Sequence, residues 1–352
     1  MRAVIRGTGL YAPPDVVPNE RMSRLMDTTD EWIIQRTGIR ERRFARHDQA
    51  TSDMAVPAAR QALDEAGLRP EDLDYIVFAT MTPDHYFPGA GPIFQRKLGV
   101  THVPCLDIRQ QCAGFLFGMQ LVDAMIRSGQ RKNVLLVGAE VHAGFMPWTR
   151  WDIAFGESDD RVSDEEFAWN TQFRDRTVLF ADAGGAMVFS AEEGEGGGGL
   201  EDVMVHSDGQ YAEKMWVDGA GSAYRPWIDP KMAAEGRIVP IVLGREVFRM
   251  AVTVMPDAVQ TILERNGYTL DDVDLLIMHQ ANLRINEAVQ KKLELPDEKV
   301  FNNIQRYGNT TAATLPLAFH EARAERDLSP GKLVCFVALG SGLSWGAALY
   351  RC

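Results

Sequence analysis

Apolar residues recur at helical spacing early in VPAARQALDEAGLRPEDLDYIVFAT (56–80), then close up into the unbroken run YIVFA. That is the pattern of a helix, a glycine at its C-terminal cap, a polar turn and a buried strand. The same succession returns in PDAVQTILERNGYTLDDVDLLIMHQ (256–280). Ala58 lies over Ala258, Leu63 over Leu263 and Gly67 over Gly267, and Asp72 and Asp74 lie over Asp272 and Asp274. The offset of 200 residues holds again for KNVLLVGAE (132–140) and KLVCFVALG (332–340), both short apolar runs bounded by glycine. Each has the character of a strand buried on both faces. A helical pattern precedes each, over 114–128 and 311–326.

Two matches at one offset imply a duplicated α/β chain. The glycine-rich stretch EEGEGGGGLED (192–202) reads as a turn or linker and places the division there, giving halves 1–195 and 196–352. Ligands of open α/β sheets bind at the carboxyl ends of the strands, so a duplicated sheet brings groups from both halves to one site.

Composition narrows the class. The chain has 352 residues, 45% hydrophobic and 24% charged, which predicts a globular protein. A net charge of -12 argues against non-specific nucleic-acid binding. Four cysteines without CxxC spacing make neither a disulfide framework nor a zinc site. The start MRAVIRGTGLYAPP lacks a signal peptide's apolar run, and no stretch of about 18 apolar residues predicts a membrane span. The expectation is a reduced, cytoplasmic enzyme without a metal.

Three residues carry candidate chemistry. Cys112 stands where the apolar helix of DIRQQCAGFLFGMQLVDAMIRSGQ begins. The free N–H groups and positive end of a helix favour thiolate below the free pKa of about 8.5. His279 ends the strand DLLIMH, and Asn309 lies in the turn RYGNTTAATLP that opens a helix. Singly, these read equally as a core cysteine, a strand-end histidine and an asparagine N-cap. Together they bring groups from both halves to one strand-end site.

With these residues the chain resembles the β-ketoacyl-acyl carrier protein synthase III family. The likeness runs through TTDEWIIQRTGIRERR (28–43), HYFPG (85–89), CAGF (112–115), HSDGQY (206–211), GREVFRMAV (244–252), MHQANLRI (278–285), YGNTTAAT (307–314) and GSGLSWGAAL (340–349). It implies a thiolase-like fold, layered α-β-α-β-α with two mixed five-stranded sheets, in a homodimer. It implies that Cys112 takes an acyl group from an acyl-CoA and that malonyl-acyl carrier protein then loses CO2 and attacks it. His279 Nε2–H and the Asn309 amide would face the enolate oxygen, and the backbone N–H groups of Cys112 and Ser341 the acyl carbonyl. Coenzyme A thioesters enter as substrates, and no cofactor is implied.

The resemblance further assigns Trp32, Arg36 and Arg174 to the coenzyme A nucleotide, and Phe248 and Asn282 to its pantetheine arm. Trp32 and Arg36 are four apart on a helix opened by a capping box at Thr28-Thr29-Asp30-Glu31. Arg249, Arg284, Lys291 and Lys292 would form a local basic patch for an acidic carrier protein. Phe87 would cross the dimer interface into the partner's acyl pocket. Asn309 stands where elongating synthases have a second histidine. GSGLS lacks the cysteine of degradative thiolases, and HYFPG lacks the carboxylate of hydroxymethylglutaryl-CoA synthases and head-to-head condensers. Acyl transfer to an oxygen or nitrogen nucleophile, without a new C–C bond, is the alternative activity.

Two stretches exceed the family's usual length. One, rich in acids and carrying Trp148, Trp151 and Trp169, covers about 146–176; the other is near 216–240. The first either lids the thioester tunnel or reshapes the acyl pocket, or is a surface or dimer-contact decoration; both readings stand open in the sequence.

Overall fold

The computed structural model describes residues 1–194 and 196–352; Glu195, the proposed end of the first half, lies outside them. Strands β1 (Arg2–Tyr11), β2 (Tyr75–Ala79), β3 (Cys105–Ile108), β4 (Asn133–Glu140) and β5 (Ala183–Glu192) form one sheet, ordered β1-β5-β4-β2-β3. Strands β6 (Gly199–Ser207), β7 (Leu275–Met278), β8 (Val300–Phe301), β9 (Leu333–Gly340) and β10 (Ser344–Arg351) form another, ordered β6-β10-β9-β7-β8. The second order is the first shifted by five strands. Pairing directions repeat too: β2 runs parallel to β3 and β4, β7 parallel to β8 and β9, and the remaining pairs are antiparallel.

Both sheets are buried on both faces, which explains their unbroken apolar runs. In β4, Val134 and Leu136 face a middle layer while Leu135 and Val137 face outward, as the period of two requires. The middle layer holds helices α3 (Gly114–Arg127) and α6 (Thr314–Glu325). Helix α2 (Thr51–Ala66) covers the outer face of the first sheet, and α4 (Gly244–Arg265) with α5 (Leu283–Lys292) that of the second. The result is five layers, α-β-α-β-α. No helix among the described residues is long and apolar enough to cross a membrane.

The repeated aspartates have a repeated task. Asp74 Oδ2 accepts from the N–H groups of Lys132 and Asn133 at the foot of β4. Asp274 Oδ2 accepts from Leu333 N–H at the foot of β9. Gly67 and Gly267 both take left-handed backbone, at φ 65° and 76°.

The 146–176 stretch does not serve as a lid. Its helices Trp151–Phe155, Asp164–Thr171 and Arg174–Thr177 lie beside the N-terminal segment. Trp148, Ile153 and Val162 are buried with Val17, Met22, Leu25, Ile33 and Phe44. Burying tryptophan against that apolar surface holds the segment down. Helix α1 (Asp30–Thr37), which carries Trp32, is buttressed by this cluster through Ile33. Its N-cap is Thr29, whose side chain accepts from Trp32 N–H. The reciprocal half of the expected capping box is missing, because the third helical residue is a tryptophan rather than a Glu or Gln.

The outer layer of the first sheet leaves no room where the glycines of β1 cross α2. A Cβ on Gly9 would stand 2.0 Å from the Ala58 carbonyl oxygen of α2. Gly9→Ala is expected to lower the unfolding free energy by about 3 kcal/mol, measured by denaturant titration.

Candidate active site

The end of β9 packs directly on the start of α3. A Cβ on Gly340 would lie 3.0 Å from Cys112 N and 2.8 Å from Ala113 N. Only glycine lets the second sheet reach the backbone of Cys112 in the first half. A single turn of 3-10 helix, Gln111–Ala113, holds Cys112, and α3 begins two residues later at Gly114. Gln111 takes a positive φ of 45° to make that entry.

Cys112, His279, Asn309 and Ser341 line one cavity of about 820 Å3, together with Phe248, Asn282 and Thr311. Asn309 is tied to the first half by backbone bonds: its N–H donates to Leu179 O at 2.8 Å, and its carbonyl accepts from Ala181 N–H at 3.0 Å. Its side-chain Oδ1 accepts from Thr311 N–H at 2.9 Å. That contact settles which end of the amide is free, and the Nδ2 hydrogens are left to give.

His279 follows β7, its N–H donating to Val337 O at 2.9 Å. Its Nδ1 lies 2.7 Å from the Thr314 hydroxyl, while Nε2 is buried without a partner among the described residues. The Thr314 hydroxyl has one proton to give. Directed at Thr311 O, 3.0 Å away, it leaves the His279 proton on Nδ1. Directed at His279 Nδ1, it leaves the proton on Nε2 as a donor. Burial holds the imidazole pKa down to about 3, so the ring is neutral at physiological pH.

The thiol behaves differently from the helix-end expectation. Burial, reinforced by the negative charge of Glu140, pushes the Cys112 pKa up to about 12. Glu140 is itself fully buried, held by the hydroxyls of Thr80 and Thr82 and the N–H of Met81 and Thr82. Desolvation outweighs the helix end here, so Cys112 rests as a neutral thiol.

The nucleotide-binding candidates lie outside the cavity but together. The Arg36 guanidinium stands 4.3 Å from the Trp32 ring centre and that of Arg174 stands 5.2 Å from it. Arg174 also pairs with Asp27 at 2.8 Å. Asn282 links this cluster to the cavity it lines: its Nδ2 donates to Arg36 O, and its Oδ1 caps α5 through Arg284 N–H.

The basic candidates separate. Arg284 is spent on Glu287 and on the carbonyls of Ile34 and Gln35. Lys292 approaches Asp257 at 3.5 Å. Arg249 and Lys291 are exposed and make no ion pair among the described residues. Phe87 is 85% exposed and does not line this chain's cavity, whereas its neighbour Tyr86 does.

The cavity wall comes from the second long stretch, not the first. Met215, Trp216, Trp227, Ile241 and Val242 line it, and nothing between 146 and 178 does. Strands Met215–Trp216 and Ile241–Val242 pair to close the neck of this segment. Asp218 braces it inside, accepting from Arg237 Nε and Tyr224 OH. Other buried polar groups beside the site are His142, Asp182, Thr311 and Thr314. Thr311 and Thr314 stood within a quoted motif, but a threonine's partner is not readable from a motif. Among the described residues, no group of three or more His, Cys, Asp or Glu is placed to hold a metal ion.

A neutral, half-buried thiol has a direct signature. Iodoacetamide labelling of Cys112, mapped by mass spectrometry, is expected to keep accelerating up to about pH 10, with no plateau near the free thiol pKa of about 8.5.

Residues 106–159 match the family described as 3-Oxoacyl-[acyl-carrier-protein (ACP)] synthase III, and residues 263–352 match its C-terminal domain. The chain is 38% identical over 354 residues to Beta-ketoacyl-[acyl-carrier-protein] synthase III of Cereibacter sphaeroides, covering 100% of this chain and 99% of that protein. Its counterpart in Paracoccus denitrificans is 40% identical, with 99% of each covered. Among solved structures, 3-oxoacyl-[acyl-carrier-protein] synthase III from Aquifex aeolicus superposes with a TM-score of 0.84 at 36% identity, over 99% of this chain and 100% of that one. The priming β-ketosynthase of the R1128 polyketide pathway gives 0.83 at 30% identity, over 99% and 96%. Matches of this identity over the full length make the chain a member of the β-ketoacyl-[acyl-carrier-protein] synthase III family.

Proposed function

We propose that this enzyme carries out decarboxylative Claisen condensation of an acyl-CoA primer with malonyl-acyl carrier protein, as the initiating step of fatty-acid synthesis or of a related polyketide route. The observation that carries the reading is the pair of polar ends left free in the cavity. His279 Nε2 is buried with no partner, and the Asn309 amide has its oxygen occupied and its nitrogen free. A buried polar atom without a partner is costly unless a ligand supplies one. An enolate oxygen held between these two groups would do so.

In the first half-reaction the Cys112 sulfur replaces coenzyme A on the acyl carbon, and the thiol proton ends on the departing coenzyme A. The backbone N–H groups of Cys112 and Ser341 would hold the tetrahedral oxyanion. In the second, the malonyl carboxylate leaves as CO2, and the electron pair of the broken C–C bond forms the enolate. The enolate carbon attacks the acyl carbonyl and expels the Cys112 thiolate, which takes a proton from water. The high thiol pKa makes that last protonation downhill at neutral pH.

The donor role of His279 requires the proton on Nε2, and hence a Thr314 hydroxyl turned toward Nδ1. Trp32, Arg36 and Arg174 are proposed to hold the coenzyme A nucleotide by stacking and charge, with Asn282 and Phe248 along the pantetheine arm. Carrier-protein docking is assigned to the exposed Arg249 and Lys291, with Lys292 and Arg284 beside them. The reading includes a homodimer. An apolar Phe87 standing 85% exposed and an edge strand β3 both suit burial by a second copy.

The test is a two-stage assay. The protein is incubated with a panel of acyl-CoAs, acylation of Cys112 is located by mass spectrometry, and malonyl-acyl carrier protein is then added. Acyl-Cys112 followed by CO2 and a β-ketoacyl product is expected. Acyl transfer to an oxygen or nitrogen acceptor without CO2 release would overturn the reading. Asn309→Ala is expected to slow the second stage by about 100-fold to 1,000-fold, with acyl-Cys112 still formed. Thr314→Val is expected to lower the same stage, and Thr314→Ser to restore it. Trp227→Ala, in the cavity wall, is expected to shift the ratio of kcat/KM between short and long acyl-CoAs by about 10-fold.

A further inference from the structure

His142 follows β4 and lies fully buried, stacked on Phe180 with ring centres 4.8 Å apart. Its Nδ1 stands 2.8 Å from the Ala181 carbonyl oxygen. A carbonyl oxygen can only accept, so Nδ1 carries the proton and Nε2 presents a lone pair. At 2.7 Å from that lone pair lies the Thr311 hydroxyl. Burial lowers the imidazole pKa to about 4, so despite Asp182 3.8 Å from Nδ1 the ring is neutral, Nε2 has no hydrogen, and the threonine must donate. The direction of both bonds is therefore fixed by chemistry.

Thr311 is held where a β-branched residue does not settle by itself, at a φ of 51° in the left-handed region. That backbone turn aims its N–H at Asn309 Oδ1, 2.9 Å away. On its other side the Thr311 carbonyl oxygen lies 3.0 Å from the Thr314 hydroxyl that touches His279 Nδ1. One strained residue thus stands behind both polar groups that face the cavity, and a buried histidine from the other half of the chain anchors its hydroxyl.

We propose that His142 and Thr311 are positioning residues for decarboxylation: the Ala181–His142–Thr311 hydrogen-bond relay locks the turn that holds the Asn309 amide nitrogen toward the enolate oxygen. The relay acts through Asn309, and it builds on the condensing role proposed above. Thr311 is thereby required as a donor, not merely as a filler of volume. Serine meets the requirement; valine, of the same shape, does not.

The experiment compares the two half-reactions in Thr311→Val, Thr311→Ser and His142→Phe, the last keeping the ring stacked on Phe180. Single-turnover acylation of Cys112 by acyl-CoA is measured separately from CO2 release on adding malonyl-acyl carrier protein. The ratio of the second rate to the first is expected to fall at least about 10-fold in Thr311→Val and His142→Phe, and to stay within about 3-fold of the parent in Thr311→Ser, since a misaimed donor costs less than the 100-fold or more of a lost one. Adding Thr311→Val to Asn309→Ala is expected to cost nothing further, because groups acting as a unit do not add. Equal loss in both half-reactions, or losses that multiply in the double variant, would overturn the proposal. A parent enzyme that acylates but releases no CO2 would refute the condensing role instead. A crystal structure of Thr311→Val decides the inference in that event as well. A displaced Asn309 side chain supports it, and one with Oδ1 still on the residue 311 N–H overturns it.

Discussion

Two backbone hydrogen bonds join the halves of this chain at its centre, from Asn309 N–H to Leu179 O and from Ala181 N–H to Asn309 O. They form an isolated parallel bridge between Phe180 and Asn309, outside either sheet. Side chains can adjust by rotation; a backbone pair of this kind cannot. Asn309 is therefore placed relative to the first half with the precision of a sheet, although it lies in a turn. Gly340 supplies the matching constraint from the other direction, since it alone lets β9 approach the amide of Cys112. The cavity exists because these two close approaches fix the halves around it.

Electrostatics follows from the same burial. Taking the site out of water raises the Cys112 thiol and lowers the His279 imidazole, so both resting groups are neutral at physiological pH. Charge then develops only as bonds change, in a region where fixed dipoles are worth more than in water. The helix end in front of Cys112 is therefore not a device for ionising the thiol at rest.

Much of this was legible in the chain. The offset repeat appears in sequence because Asp74 and Asp274 perform the same strand-tethering task, and because strands buried on both faces must be apolar throughout. Cys112, His279 and Asn309 stand in motifs long enough to be recognised. The pKa of the thiol was not legible, since a helix end can be read from sequence but the depth of burial around it cannot. The place of the tryptophan-rich stretch was not legible for a related reason. Trp148 and Trp151 find their partners in Val17, Met22 and Phe44, more than a hundred residues earlier, and no local pattern announces that. His142 and Thr311 are 169 residues apart and meet only through the fold. A histidine after a buried strand carries no local mark of what it touches.

The segment from Met215 to Val242 belongs to neither sheet, yet it supplies much of the cavity wall. It is pinched at its neck by a two-residue ribbon and braced within by Asp218, Tyr224 and Arg237. A contiguous piece attached in this way can be exchanged without disturbing the packed layers or the groups that perform the chemistry. The scaffold is thus modular: the machinery that makes bonds is locked into a duplicated core, while the surface that meets the ligand is free to diverge at a different pace.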